Sequence, residues 1–220
     1  MTRVLNTGRV PAKSGKAGSM LVFLHGYGAD GNDLLGLADP LAPHLPDTVF
    51  LAPDAPERCT GNPFGHQWFP IPWLDGSSEA AAAAGLDAAA ADLDAWLDGA
   101  IAAEGVAADR VFLFGFSQGA MMALHVAPRR AVAVGGVIAC SGRLLRPERL
   151  ADDARVRPPV LLMHGDQDAV VPFEDMARAG RALDAAGFSV HGHVMRGTGH
   201  GIAPDGLSAA LAFIAKVQGG

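Results

Sequence analysis

Short apolar segments alternate along this chain with segments of helical character, and this alternation limits the folds open to it. The apolar segments are residues 20–25, 49–52, 110–114, 134–139, 160–164 and 190–195. The helical segments are residues 32–45, 79–104, 118–127, 173–186 and 207–217. Most apolar segments lack polar alternation, as is typical of parallel strands covered on both faces. The pattern predicts an α/β fold with a mostly parallel central sheet flanked by helices on both faces.

Length and composition indicate a single globular domain over residues 1–220. Half of the 220 residues are hydrophobic, and the chain shows no internal repeat or linker. Residues 1–18 are ambiguous between an antiparallel edge strand and irregular chain. The formal net charge is −6 and the basic residues form no cluster, so nucleic acid is not an expected partner. No apolar run has the length of a membrane-spanning helix, so integral membrane association is not expected.

The two cysteines, Cys59 and Cys140, suggest a reducing compartment. A secreted disulfide framework usually has more cysteines, and the N-terminal residues lack the apolar core of a signal peptide. Both are therefore interpreted as reduced thiols of a cytoplasmic protein. Cys140 ends an apolar run and is expected in the core, whereas Cys59 lies in a loop and is expected nearer the surface.

The motif Gly115-Phe116-Ser117-Gln118-Gly119 lies between a predicted strand and a predicted helix. A serine at such a turn is held in a strained backbone conformation with its hydroxyl exposed. The residues two positions on either side of it nearly touch, so glycine fits at both. The backbone N–H of Gln118 begins the helix and can point at an oxyanion that forms on a substrate. Ser117 is therefore a candidate nucleophile.

A serine hydroxyl needs a base within hydrogen-bond reach and a group that orients the base. Loops after the strands at 160–164 and 190–195 carry such groups, and parallel strands converge on one rim at their carboxyl ends. The first loop offers Asp166 and Asp168, and sequence geometry alone favours neither strongly; Asp166 also suits an ordinary turn. The second loop offers His200 between two glycines, a suitable place for a general base. The chain order Ser, Asp, His is that of α/β hydrolases.

The remaining histidines have ordinary interpretations. His25 and His164 end strands and are expected to bond to local backbone. His191 and His193 alternate on a strand and could share a face, but the sequence supplies no third ligand for a metal. The others lie on a helix or outside the converging loops: His44, His66 and His125. Neither a metal nor a cofactor is expected.

The loop after the first apolar segment has two interpretations. In one, its glycines let the backbone approach a substrate, and the N–H of Tyr27 is the second oxyanion donor. In the other, residues 26–31 are a dinucleotide-binding G-x-G-x-x-G motif, with Asp54 as the acid that binds a ribose. The dinucleotide interpretation leaves the serine turn and the later loops unexplained, so it is the weaker one.

Residues 55–78 form a long loop that is rich in proline and large apolar side chains. Loops of this length in a compact domain often serve as a lid or as a wall of a binding pocket. An ordinary packed connection, with its aromatic residues in the core, is an alternative of equal weight.

Together these segments resemble the phospholipase/carboxylesterase family of α/β hydrolases, which includes the acyl-protein thioesterases. The matching segments are LVFLHGYGADGNDL at 21–34, FGFSQGAMMAL at 114–124, VLLMHGDQDAVVP at 160–172 and GTGHGI at 197–202. The resemblance implies Ser117 as nucleophile, Asp168 as the orienting acid and His200 as the base. It also implies an oxyanion hole formed by the backbone N–H groups of Tyr27 and Gln118.

The resemblance further places Trp68 and Phe69 beside an acyl pocket. The chain departs from the family just after them, because Ile71 and Trp73 stand in a stretch that is more polar in the family. We take all four residues as candidate pocket residues. The implied activity is that of a serine carboxylesterase that hydrolyses carboxylic esters or thioesters through an acyl-enzyme on Ser117.

Several alternatives to this activity remain open. Lysophospholipase and acyl-protein thioesterase activities would use the same catalytic groups, because a catalytic triad does not encode acyl length. A non-catalytic binding module and a NAD-binding protein are remote alternatives. The expected partner is a small ester or thioester substrate, and some family members form homodimers.

Overall fold

The computed structural model describes residues 2–59 and 62–219. Its strands are β1 (Thr7–Val10), β2 (Ser19–Leu24), β3 (Thr48–Pro53), β4 (Glu57–Arg58), β5 (His66–Gln67), β6 (Val111–Phe116), β7 (Gly136–Cys140), β8 (Val160–Gly165) and β9 (Val190–Met195). Its α-helices are α1 (Gly31–Leu35), α2 (Ala38–Leu41), α3 (Pro72–Asp75), α4 (Glu79–Glu104), α5 (Gln118–Val126), α6 (Leu150–Asp153), α7 (Glu174–Ala185) and α8 (Pro204–Gln218).

Seven of the strands form one sheet in the order β1-β3-β2-β6-β7-β8-β9. β1 is antiparallel to β3, and all other neighbouring pairs are parallel. Each apolar segment predicted as a strand lies in this sheet, and the ambiguous N-terminal segment supplies the antiparallel edge strand. β4 and β5 pair in a separate two-stranded hairpin. The predicted α/β fold is confirmed.

Both faces of the sheet are buried under helices. Along β2, Met20 and Leu24 pack into the hydrophobic cluster that α4, α5 and α7 cover. The residues between them, Leu21 and Phe23, pack into the opposite cluster, beneath α1, α2 and α8. Full burial of side chains of this size stabilises the fold by about 1.5–3 kcal/mol each. This two-sided burial explains why the strands read as continuous apolar runs.

The structure corrects two expectations. The helix predicted over residues 32–45 is two short helices, α1 and α2, separated at Gly36 and Leu37. Pro40 has no N–H to donate to the Gly36 carbonyl, so a continuous helix would lack that bond. Cys59 is buried rather than near the surface, with 3% of its area exposed. Cys140 is buried as expected, and both cysteines are free thiols.

The alanine-rich segment forms the long helix α4, which packs along the sheet. The Ser78 side chain accepts a hydrogen bond from the Ala81 N–H at its start, and Gly105 ends it in a left-handed conformation with φ of 66°. Its buried stripe includes Leu86, Leu93 and Leu97. Within residues 2–59 and 62–219, no helix combines the length and apolar character needed to cross a bilayer.

Candidate active site

Ser117 sits in a sharp turn between β6 and α5, with φ of 53° and ψ of −117°. A non-glycine residue with this positive φ is strained by about 1–3 kcal/mol. The turn leaves no room for larger neighbours: a Cβ added at Gly115 would overlap the Gly119 carbonyl oxygen, and one at Gly119 would overlap the Leu24 carbonyl. The two glycines thus permit the turn that raises the Ser117 hydroxyl above the sheet.

The structure brings Ser117, His200 and Asp168 into one hydrogen-bonded chain. The Nε2 atom of His200 lies 3.0 Å from the Ser117 Oγ, and its Nδ1 atom lies 2.8 Å from an Asp168 carboxylate oxygen. A neutral imidazole satisfies both contacts only when Nδ1–H donates to Asp168 and Nε2 accepts from the serine hydroxyl. The Phe116 ring packs against the imidazole at a centroid distance of 4.9 Å. The imidazole of His200 therefore has its free lone pair directed at the serine.

Asp168 is held in place by more than His200. Its Oδ1 accepts hydrogen bonds from the N–H groups of Val170 and Val171, each at 2.9 Å. Burial acts to raise the pKa of Asp168, but the hydrogen bonds from His200 and the two amides outweigh it and hold that pKa below its usual value. The carboxylate is ionised at neutral pH and can stabilise a positive charge on His200.

His164 supports the same carboxylate from the end of β8. Its Nε2 atom lies 3.0 Å from the Val171 carbonyl oxygen and 3.3 Å from the Asp168 Oδ2. The sequence predicted the backbone contact but not the contact with Asp168. The signal was present, because His164 and Asp168 are four residues apart across a tight turn, but that spacing alone does not fix side-chain directions.

Asp166, the alternative acid, serves a different purpose. Its Oδ1 accepts a hydrogen bond from the Gly197 N–H at 2.7 Å, and its own N–H donates to the Met195 carbonyl. Asp166 thus ties the turn after β8 to the loop that carries His200. Of the two aspartates, only Asp168 hydrogen-bonds to His200 among the described residues.

The loop after β2 lies against the serine turn. A Cβ added at Gly26 would lie 3.3 Å from the Cβ of Ser117. Within the described part of the chain, the N–H groups of Tyr27 and Gln118 donate to no protein acceptor. Gly28 has φ of 82° and donates its N–H to the His66 carbonyl at 2.9 Å, which fixes the loop to β5. Two backbone donors next to the serine are thereby left available.

His25 is buried beneath this loop and fixes its path. Its Nε2 accepts the Ala55 N–H at 2.9 Å, so its Nδ1 carries the proton that it donates to the Gly26 carbonyl at 2.8 Å. Burial lowers the pKa of His25, in agreement with a neutral ring. The expected bond to local backbone is confirmed.

The Gln118 side chain adds a contact that sequence analysis missed. It is 1% exposed, accepts the Trp68 N–H at 2.9 Å and donates to the Phe69 carbonyl at 2.7 Å. The residue after the serine therefore fastens the segment 68–69 to the serine turn. No sequence signal marks this contact, because a G-x-S-x-G motif leaves that position unspecified.

A groove of about 360 Å³ runs beside the serine turn, and three of the four predicted pocket residues line it. These are Phe69, Ile71 and Trp73, which face Met121 on α5 and Val170. The prediction for Trp68 is wrong. Its ring is fully buried against His25, and its Nε1–H donates to the His25 carbonyl at 3.0 Å.

The two parts of segment 55–78 have different surroundings. Its first part includes the hairpin of β4 and β5, which packs on the loop after β2, while residues 69–73 form a groove wall. Residues 60 and 61 lie outside the described residues.

The dinucleotide interpretation does not fit the loop at residues 26–31. Asp30 caps α1 by accepting the N–H groups of Asn32 and Asp33, at 2.9 and 3.3 Å. Asp54 accepts the Gly31 N–H at 2.8 Å and a bond from Asn6. A pyrophosphate would need these donors at the helix start, and two carboxylates already occupy them.

The two histidines on β9, His191 and His193, contact protein side chains. His193 hydrogen-bonds to Asp205 at 2.9 Å, and the His191 ring packs edge-on against Phe213. Across the described ranges, no three His, Cys, Asp or Glu side chains are grouped as metal ligands would be.

Comparison with known proteins agrees with this geometry. The family model described as phospholipase/carboxylesterase matches residues 5–218. A crystal structure of esterase PE8 is 43% identical, with a TM-score of 0.91, over 97% of this chain and 99% of that one. Acyl-protein thioesterase 1 of Saccharomyces cerevisiae is 29% identical over 96% of this chain and 98% of its own length. Esterase YpfH of Escherichia coli is 29% identical over 89% of this chain and 81% of its own length. The chain therefore belongs to the phospholipase/carboxylesterase family of α/β hydrolases.

Proposed function

We propose that this protein hydrolyses carboxylic esters or thioesters through an acyl-enzyme formed on Ser117. By family, the chain is a hydrolase that acts on ester bonds, and its relatives carry the names esterase and acyl-protein thioesterase. The observation that carries the assignment of roles is the hydrogen-bonded chain from Ser117 through His200 to Asp168, with distances of 3.0 and 2.8 Å.

The geometry suits a two-step acyl transfer. As the Ser117 Oγ attacks the carbonyl carbon, His200 Nε2 takes the hydroxyl proton, and ionised Asp168 stabilises the resulting imidazolium. The negative charge on the former carbonyl oxygen is stabilised by the N–H groups of Tyr27 and Gln118. His200 then gives its proton to the departing alcohol or thiol. Water repeats the sequence on the acyl-enzyme and releases the carboxylic acid.

The position of His200 also assigns the two halves of the substrate. The leaving group must lie next to the imidazole that protonates it. The groove is lined by Met121, one helical turn after Ser117, and by no residue of the loop that carries His200. We therefore assign the groove to the acyl group. At about 360 Å³ it lies near the lower end of the range for ligand pockets, roughly 300–1,000 Å³, which favours short or medium acyl groups.

Two further expectations belong to the proposal. Cys59 and Cys140 are free and buried, which agrees with a reducing, cytoplasmic setting.

The side chains of Phe64 and Trp73 are 86% and 74% exposed and would suit an interface between two copies of the chain. Sedimentation equilibrium would test the dimer, and a monomer at micromolar concentration would exclude a stable one.

A fluorophosphonate probe tests the assignment of the nucleophile. The protein should gain one adduct, and peptide mass analysis should place it on Ser117. Ser117→Ala should abolish labelling and lower kcat/KM on p-nitrophenyl esters by roughly 10⁴–10⁶-fold. Ser208→Ala, a change at an exposed serine on α8, is the matched control and should behave as the unaltered protein. Full esterase activity in Ser117→Ala would exclude the proposal.

A further inference from the structure

Arg143 is the unusual residue of the acyl groove. It lies three residues after the end of β7, and its neighbour Gly142 packs on the serine turn so closely that an added Cβ would lie 3.1 Å from the Ser117 carbonyl oxygen. Arg143 lines the groove together with apolar residues such as Ile71 and Val170. A cation beside these apolar side chains would be unfavourable for a plain hydrocarbon chain.

The ion pair of Arg143 orients its guanidinium but uses only the Nε–H group. Its Nε–H donates to Asp175 Oδ2 at 2.7 Å, and the side chain is 48% exposed. Asp175 is 5% exposed and also pairs with Arg178, at 2.9 Å. One carboxylate thus serves two guanidinium groups, which leaves a net positive charge. Across residues 2–59 and 62–219, the two Nη atoms of Arg143 have no hydrogen-bond acceptor.

Two other charged side chains line the groove. Arg146 also lines the groove, but Asp87 neutralises it at 2.6 Å and the Ala83 carbonyl accepts a second bond. Glu79, at the first turn of α4, is the one carboxylate among the lining residues described. Because Arg146 is already paired, the count of charges does not decide between an anion and a cation, and the free Nη donors of Arg143 are what favour an anion.

We propose that the acyl groove selects acyl groups that carry a carboxylate, and that the free Nη atoms of Arg143 bind it. The inference rests on the proposed function, because it assigns the groove to the acyl half of the substrate. The substrates are then monoesters or monothioesters of dicarboxylic acids. A planar guanidinium held by its Nε can present two parallel N–H groups to a carboxylate.

Matched substrates test this charge preference. Mono-p-nitrophenyl adipate carries the carboxylate, and methyl p-nitrophenyl adipate is its neutral counterpart. The ratio of their kcat/KM values should favour the anion, and Arg143→Gln should lower that ratio about tenfold, since the arginine is half exposed. Arg143→Lys should keep part of the preference. Glu79→Gln should raise the ratio by about twofold, because it removes the opposing charge.

Arg178→Gln is the matched control. It lowers the positive charge around Asp175 but keeps the Nη donors of Arg143 and every residue that lines the groove, so the ratio should fall by much less than in Arg143→Gln. An unchanged ratio in Arg143→Gln, or an equal loss in Arg178→Gln, would overturn the proposal. A second pair, 4-carboxyphenyl hexanoate and its methyl ester, moves the charge to the leaving group. A larger effect of Arg143→Gln on this pair would overturn the assignment to the acyl side.

Binding separates this inference from the proposed function. In Ser117→Ala, calorimetry should show tighter binding of monomethyl adipate than of dimethyl adipate, and the added change Arg143→Gln should remove the difference. If the unaltered protein hydrolyses no ester but this binding preference holds, the proposed function fails and the groove assignment stands. If the protein hydrolyses esters but shows no charge preference, the proposed function stands and the role of Arg143 fails.

Discussion

Asp168→Asn should inactivate the protein because it forces the wrong tautomer on His200. In the native site, one oxygen of Asp168 accepts two N–H groups from Val170 and Val171, and the other accepts the His200 Nδ1–H. An asparagine must keep its single oxygen towards the two amides, because its NH₂ group would otherwise face two donors. The NH₂ group is then directed at His200 Nδ1, which must accept. The proton moves to Nε2, which can no longer take the serine proton.

The expected loss in kcat/KM is about 10⁴-fold, or about 5.5 kcal/mol of transition-state stabilisation. Hydrolysis of p-nitrophenyl butyrate measures this loss, with the rate of the Ser117→Ala variant as the lower limit of detection. Circular dichroism should show an unchanged fold, because asparagine occupies the same volume and keeps the amide contacts.

Asp166→Asn is the matched control for this prediction. Its oxygen can still accept the Gly197 N–H, and the substitution weakens a 4.0 Å ion pair with exposed Arg196. We expect kcat/KM within about threefold of the unaltered protein. If Asp166→Asn were the severe variant and Asp168→Asn the mild one, the tautomer reasoning would be refuted and the orienting role would pass to Asp166.

Two further predictions concern stability. Ser117→Gly should be more stable than Ser117→Ala by about 1 kcal/mol in urea unfolding, because both lose the hydroxyl but only glycine relieves the positive φ of 53°; equal stabilities would show that the turn stores no strain. Burial first, and then the charge of Arg129, lowers the pKa of His125 to about 4, so its folded-state pKa lies below the unfolded value. The stability that depends on a neutral ring is therefore present above about pH 6.5 and is lost as the pH falls towards 4, by at most about 3 kcal/mol. In His125→Leu, the free energy of unfolding in urea should depend less on pH over that range. His44→Gln, a change at an exposed histidine, should keep the full pH dependence. If His125→Leu lost as much stability on acidification as the unaltered protein, His125 would not be the group responsible.

Patterns that depend only on the backbone were readable from the sequence. The strands β2, β3, β6, β7 and β8 appear as apolar runs because both of their faces are buried, so no knowledge of their partners was needed. The serine turn was also readable, because its geometry excludes side chains at Gly115 and Gly119. By contrast, the break between α1 and α2 depends on one missing N–H at Pro40, which a pattern of apolar periodicity does not register.

The sequence did not predict the direction of side chains that are held by residues far away along the chain. The family resemblance placed the adjacent residues Trp68 and Phe69 together beside the pocket. They lie in a bend after β5, and the Gln118 side chain holds this bend through the N–H of Trp68 and the carbonyl of Phe69. That clamp turns Trp68 inward towards the His25 carbonyl and leaves Phe69 on the groove. The Gln118 side chain thus links the serine turn to the groove wall, so a change at position 118 would alter acyl binding even if the backbone donor at that position stayed in place.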